Sequence, residues 1–201
     1  DSAWPLTQAM ELQADTPVNR LQILGAHNAW NDSSATWANQ RWALDKLMDN
    51  GVRNIDIDIH NDNGVVKLCH QNCSSIYSAV DSYPNELQKM ANWLAAHPKE
   101  ILFLDLEDRV GNQALVEAPL RAAFGSMLYT PSDKPSNRWE TPREMIAKGK
   151  RIIVKGANNW YDGSLIWDGR IFAKGADGGW NSRPVKYFDT ATCKMDGNAL
   201  T

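Results

Sequence analysis

Asp56, Asp58 and His70 lie close together in the stretch GVRNIDIDIHNDNGVVKLCHQNC, residues 51–73. Within it Arg53–Ile59 alternates strictly, so Ile55, Ile57 and Ile59 leave one face of a strand while Asp56 and Asp58 leave the other. The two carboxylates then stand one above the other, close enough to share a cation or a proton. A turn signal follows at Asn61-Asp62-Asn63-Gly64, and a second apolar run, Val65–Leu68, delivers His70. Periodicity alone is also satisfied by an antiparallel hairpin with a solvated acidic face.

Other chemistry-bearing residues share one kind of position. His27/Asn28, Glu107 and Lys155, like Asp56, Asp58 and His70, sit at or just past the C-terminal end of an apolar run. In parallel α/β sheets and barrels those ends meet on a single face, and that face carries the chemistry. Asn28, Asp56, Asp58 and Glu107 offer hard oxygen ligands and no thiolate, a set that suits Ca²⁺ or Mg²⁺. Two imidazoles, His27 and His70, beside such an ion suit acid–base work on a phosphodiester. Lys155 is read as a substrate-binding contact to an anion, with a solvated strand end as its alternative. His60 and His97 lack such support and read as loop and helix-end residues. Cys69, His70 and Cys73 could form a zinc site, but no second ligand pair supports it. Cys69 and Cys73 could equally form a small local disulfide.

The elements that must position these groups follow from pattern. Gln40–Asn50 reads as a helix with Trp42, Leu47 and Met48 near one face and Gly51 after its end. In Pro84–His97, Leu87, Met90, Ala91 and Leu94 recur at helical spacing, and Pro98 stops the helix. Ile101–Leu104 reads as a buried parallel strand continuing through Asp105 and Glu107, which share a face. Gln113–Phe124 is helical in pattern, with Pro119 restarting or bending it. Thr141-Pro142-Arg143-Glu144 is a capping box that starts a helix to about Ala147. Leu21–Leu24, Arg151–Val154 and Arg170–Ala173 read as further strands, and Leu6–Leu12 as a short helix. Strand, helix, strand, helix predicts an α/β fold with a parallel sheet.

Composition narrows the partners. The chain has 201 residues, 43% of them apolar, and a net charge of −3 without a Lys/Arg block, which disfavours nucleic acid. It carries no run of apolar residues long enough for a transmembrane segment. It opens Asp1-Ser2-Ala3-Trp4 with neither Met nor a visible signal peptide, as a processed N-terminus or an artificial boundary does. Three cysteines, two of them close together, give a mild preference for a secreted or periplasmic location. Of nine tryptophans, Trp30, Trp37 and Trp42 surround the segment after His27. Rings there could make peripheral membrane contact, though most large aromatics are core residues.

Taken together, GAHNAW at 25–30, GVRNIDIDIH at 51–60, LCH at 68–70, WLAAHPKEILFLDLED at 93–108 and KGKRIIVKG at 148–156 resemble the catalytic X region of phosphatidylinositol-specific phospholipase C. The Asn39-Gln40 pair and the L-C-H-x-x-C pattern look most like its small secreted microbial members. The resemblance implies a distorted TIM-like (β/α) barrel spanning residues 1–201 as one domain. Only six candidate strands precede Gly175, so the last strands lie in 178–201 or the chain is shorter than the gene product.

By the same resemblance His27 and His70 match the two family histidines. Asn28, Asp56, Asp58 and Glu107 match the metal ligands of the calcium-dependent branch, with Mg²⁺ as the alternative ion. Asp56 stands where an animal enzyme of this kind has Glu. The implied reaction is attack of the inositol 2-hydroxyl on phosphorus, releasing a cyclic phosphate and diacylglycerol from a phospholipid substrate. Two other readings fit the pattern. One is a Mg²⁺-dependent glycerophosphodiester phosphodiesterase or phospholipase D-like enzyme. The other is a catalytically silent barrel that binds its partner through the same mouth.

Overall fold

The computed structural model describes residues 10–32, 38–70, 73, 82–156 and 161–168, together with the backbone of short strands between 188 and 199. The proposed strand at Arg170–Ala173, most of the proposed helix at Leu6–Leu12, and Trp37, Trp160, Trp180 and Cys193 lie outside the described residues.

The organising element is β2, Val52–Asp62, flanked by β1 (Leu24–Ala26) and, on its other edge, by β4 (Leu102–Arg109). Beyond β4 come β5 (Ile152–Gly156) and β6 (Trp167–Asp168), all parallel. The hairpin is also real. β3, Val65–Leu68, pairs antiparallel with Ile59–Asp62 on the edge that β1 leaves uncovered. Asn63 and Gly64 turn it with φ of 55° and 87°, left-handed values that Asn and Gly tolerate. The sheet among the described residues is therefore six-stranded and open. The strands Phe188–Asp189, Lys194–Met195 and Asn198–Ala199 pair antiparallel among themselves and add nothing to the parallel array.

Each face of the sheet has its own packing. Ile55, Ile57, Ile59, Leu104, Leu106 and Val154 meet three helices: α1 (Leu44–Asp49), α2 (Tyr83–Ala96) and α3 (Gln113–Phe124). Leu87, Met90, Ala91 and Leu94 of α2 are all buried there, as their spacing requires. The opposite face is apolar toward the strand N-termini and, at the β6 edge, at Trp167, the register neighbour of Lys155. There Phe103, Ile153 and Trp167 pack with Met10, Val18, Tyr129 and Met145, the last from α4 (Pro142–Ala147). Nearer the strand C-termini this face is polar, and the rows follow the register: Asp56 beside Asp105 beside Lys155, then Asp58 beside Glu107, then His60 beside Arg109.

Several local expectations are corrected. α1 begins at Leu44, so Trp42 precedes the helix and is 44% exposed, while Leu44, Leu47 and Met48 form the buried face. Ala43 supplies no side-chain cap, and the helix starts only where apolar burial supports it. The first strand lies at Leu24–Ala26 rather than Leu21–Leu24, because its register partners are Val52, Asn54 and Ile55. Met10–Leu12 is turn, not helix. α3 runs unbroken through Pro119. His60 belongs to β2 rather than to a loop, because the strand extends through Asp62. The acidic face of β2 is not solvated: Asp56 and Asp58 are 5% and 2% exposed.

The end of the sheet away from the polar rows is stapled by cations. Arg53, fully buried, donates to Glu100 at 2.7 Å and to the Met48 and Val52 carbonyls, and its guanidinium lies over the Trp93 ring. Arg151 donates to the carbonyls of Leu94, His97 and Glu100, which satisfies groups left open at the end of α2. His97 is the helix-end residue expected, stacked on Trp93.

Candidate active site

β1 ends at Ala26, and the chain turns at once. Asn28 has φ of 47°, a left-handed conformation that Asn accepts more readily than most residues. The Ala29 amide donates to the Asp56 carbonyl at 2.9 Å, which ties the turn to the edge of β2. His27 and Asn28 are thereby held over the polar rows. Cys69 follows β3, its amide donates to the Asp58 carbonyl, and it is joined to Cys73 by a disulfide. His70, between the two cysteines, is brought over Asp58. The disulfide removes both thiols from any zinc site.

Asp56 and Asp58 of β2 each hold one histidine. His27 Nδ1 lies 2.6 Å from Asp56 Oδ2, and His70 Nδ1 lies 2.9 Å from Asp58 Oδ2. A carboxylate can only accept, so both rings carry their proton on Nδ1 and leave Nε2 as the basic nitrogen. The His27 side chain is 37% exposed and that of His70 46%, whereas both carboxylates are buried. The hydrogen bond from Asp56 raises the His27 pKa, burial opposes it, and the nearby charges of Asp56, Glu107 and Asp58 add to the rise.

The remaining predicted residues lie beside these pairs. Glu107 is the register neighbour of Asp58. Its pKa is raised by burial and then by the Asp58 carboxylate next to it. Ligand atoms of His27, Asp56 and Glu107 all fall within 4.8 Å of one another. Asn28 is 2% exposed, and its Oδ1 is buried without a hydrogen-bond partner among the described residues. Crowded carboxylates and an orphaned carbonyl oxygen are what a hard divalent cation would satisfy, so the residues present fit such an ion. His27, read from the sequence as catalytic, also falls within the group that could hold it.

Lys155 is in the row nearer the strand N-termini. It is fully buried, with Nζ 2.5 Å from Asp105 Oδ2. Burial pushes the Lys155 pKa down and that of Asp105 up, and the attraction between them opposes both shifts. The sequence pattern puts Asp105 on the same face as Glu107 but does not mark it as the partner of Lys155. Trp30 is buried in the main core, and the partly exposed Trp42 lines a groove with Leu24, Leu47 and Val52.

The PI-PLC X family model, described as PI-PLC X 1, matches residues 16–160. The chain belongs to the PI-PLC X family. A PI-PLC X domain-containing protein 1 of Arthroderma benhamiae is 31% identical over 145 residues, 70% of this chain and 47% of that protein. Among solved structures, a phosphatidylinositol-specific phospholipase C of Staphylococcus aureus superposes with a TM-score of 0.62 at 18% identity. That match covers 82% of this chain and 57% of the other. The enzyme of the same description from Listeria monocytogenes gives 0.59 at 20% identity, covering 80% and 62%. The open sheet of this PI-PLC X chain is accordingly a distorted TIM-like barrel, and the polar rows are at the strand C-termini where such barrels carry their sites. The chain spans about half the length of the curated relatives it matches.

Proposed function

We propose that this PI-PLC X chain is a divalent-metal-dependent phosphodiesterase that cleaves the head group of phosphatidylinositol or a similar phospholipid. The observation that carries the reading is the pair of histidine–aspartate couples on one strand, each leaving an imidazole Nε2 for proton transfer. One imidazole accepts the proton of the attacking hydroxyl as the P–O bond forms. The other delivers a proton to the leaving oxygen as the second P–O bond breaks, with attack by the neighbouring inositol hydroxyl giving a cyclic phosphate and diacylglycerol. Asp56 and Asp58 fix each ring's tautomer and stabilise its protonated form. Asn28, Asp56, Asp58 and Glu107 would hold the cation, Ca²⁺ or Mg²⁺. When bound, the ion offsets charge growing on the phosphoryl oxygens and lowers the pKa of a nearby hydroxyl. Lys155 contributes through Asp105, whose neighbour on β2 is Asp56.

Two further features support the setting. The Cys69–Cys73 disulfide suits a secreted or periplasmic protein. No described helix is long and apolar enough to cross a membrane, and the proposal places the enzyme at the bilayer surface only while it acts.

The test is incubation with phosphatidylinositol vesicles with and without Ca²⁺, following products by phosphorus NMR. A cyclic inositol phosphate formed only with the cation, and lost in folded His27→Ala and His70→Ala variants, is expected. A linear phosphomonoester would favour the glycerophosphodiesterase chemistry instead. Full turnover in either variant would end the histidine assignment.

A further inference from the structure

The Asn39-Gln40 pair was singled out in the sequence, yet no step above uses it. In the fold it returns to the turn that carries His27 and Asn28. The Asn39 and Gln40 amides both donate to the Asn31 carbonyl, at 3.0 and 2.9 Å. Asn39 Oδ1 accepts from Asn31 Nδ2 at 2.9 Å and from Asn28 Nδ2 at 3.4 Å. Gln40 Nε2 donates to the His27 carbonyl at 2.5 Å. Two residues thus brace both the backbone and the side chain of the turn.

Asn39 helps to decide which end of the Asn28 carboxamide is left buried and unpaired. An amide has a donor end and an acceptor end of nearly equal size, and only its partners decide the orientation. Asn28 Nδ2 lies between two acceptors, Asn39 Oδ1 and His27 Nε2, each 3.4 Å away. That commits the nitrogen and leaves Oδ1 buried and unpaired. The opposite flip would bury the N–H donors unpaired and turn away the oxygen that could serve a cation.

We infer that Asn39 and Gln40 are positioning residues for the cation site: Asn39 fixes the Asn28 amide with its oxygen toward the ion, and Gln40 fixes the backbone from which that amide projects. The inference rests on the metal-dependent reading above and adds to it the device that prepares one ligand before the ion arrives. Asn39 lies on the surface, and its side chain bonds Asn28 and Asn31, so it acts on the site through Asn28.

The experiment is calorimetric titration of the protein with Ca²⁺ alone, without substrate. Asn39→Leu removes the acceptor and should weaken Ca²⁺ binding about fivefold to tenfold, the worth of one net hydrogen bond that orders a buried amide. Asn39→Asp keeps an acceptor and should bind Ca²⁺ as tightly as the unmodified protein or tighter. Gln40→Leu should weaken binding similarly, and Gln40→Glu should fail to restore it, since a carboxylate cannot donate to the His27 carbonyl. Thermal unfolding of each variant, run alongside, separates the two effects, because a merely structural Asn39 would lower the melting temperature and leave the Ca²⁺ affinity of folded protein unchanged. Equal affinity for the unmodified protein and folded Asn39→Leu would overturn the inference and leave the metal reading intact. No Ca²⁺ or Mg²⁺ binding by the unmodified protein would overturn both.

Discussion

Replacing Asp56 by Asn isolates the chemistry assigned to the first couple. The side chain keeps its size and shape, but the carboxylate that accepts from His27 Nδ1 at 2.6 Å becomes an amide that can donate instead. A donated bond would select the other tautomer, with the proton on Nε2, and that nitrogen could no longer accept one during the reaction. Positioned general bases contribute about 10²- to 10⁴-fold, and the same exchange in a serine-protease triad costs about 10⁴-fold. The His27 side chain here is 37% exposed, so water competes for its nitrogens, and the expected loss in kcat is about 10²- to 10³-fold. Turnover of phosphatidylinositol should be measured at saturating Ca²⁺, so that weaker cation binding does not masquerade as lost base strength. Nitrogen-15 NMR of the imidazole provides an independent reading, because the His27 pKa, raised chiefly by its bond to Asp56, should fall in the variant. A histidine whose pKa is raised on folding contributes stability below the unfolded value of 6.5, and the contribution is lost as pH rises through the higher folded value. In Asp56→Asn that dependence should flatten. Unchanged kcat together with an unchanged His27 pKa would refute the reasoning.

Three further outcomes are expected. Arg53→Ala leaves Glu100 buried at 1% exposure without its partner and should destabilise the protein by about 3–5 kcal/mol in urea unfolding, with activity per folded molecule retained. Cys73→Ser opens the disulfide beside His70 and should lower kcat on phosphatidylinositol more than it raises KM, an effect that dithiol treatment of the unmodified protein should reproduce. Glu144, paired with Arg138 and closing the Thr141 capping box, has its pKa lowered to about 2 from 4.5. Its contribution is present above pH 4.5 and lost as pH falls toward 2, so Glu144→Ala should be less stable than the parent at pH 7, and acid titration of thermal unfolding should show the two converging near pH 2.

Much of the frame is legible without coordinates because it rests on local rules. Helix α2 follows from the spacing of Leu87, Met90, Ala91 and Leu94, and α4 from a capping box and Pro142 at its first position. The helix at Gln40–Asn50 came out short because α1 is only Leu44–Asp49 and is held by packing, with no side chain capping its start. Asn61 and Asp62 are turn formers by type and point to a loop at His60, yet pairing with Val66 and Val65 keeps them in the strand.

Residue order is enough to put Asp56 and Asp58 on one face of a strand and Asp105 and Glu107 on one face of another, with the histidines after strand ends. Alternation is a property of a single extended chain, so it needs no knowledge of neighbours. Which partner each group meets depends on the folded chain: His27 with Asp56, His70 with Asp58, Lys155 with Asp105, and the Asn28 amide with Asn39. Those pairings depend on strand register and on where distant turns fold back. Both are settled by burying the isoleucines of β2 and the leucines of β4 against helices far away in the chain.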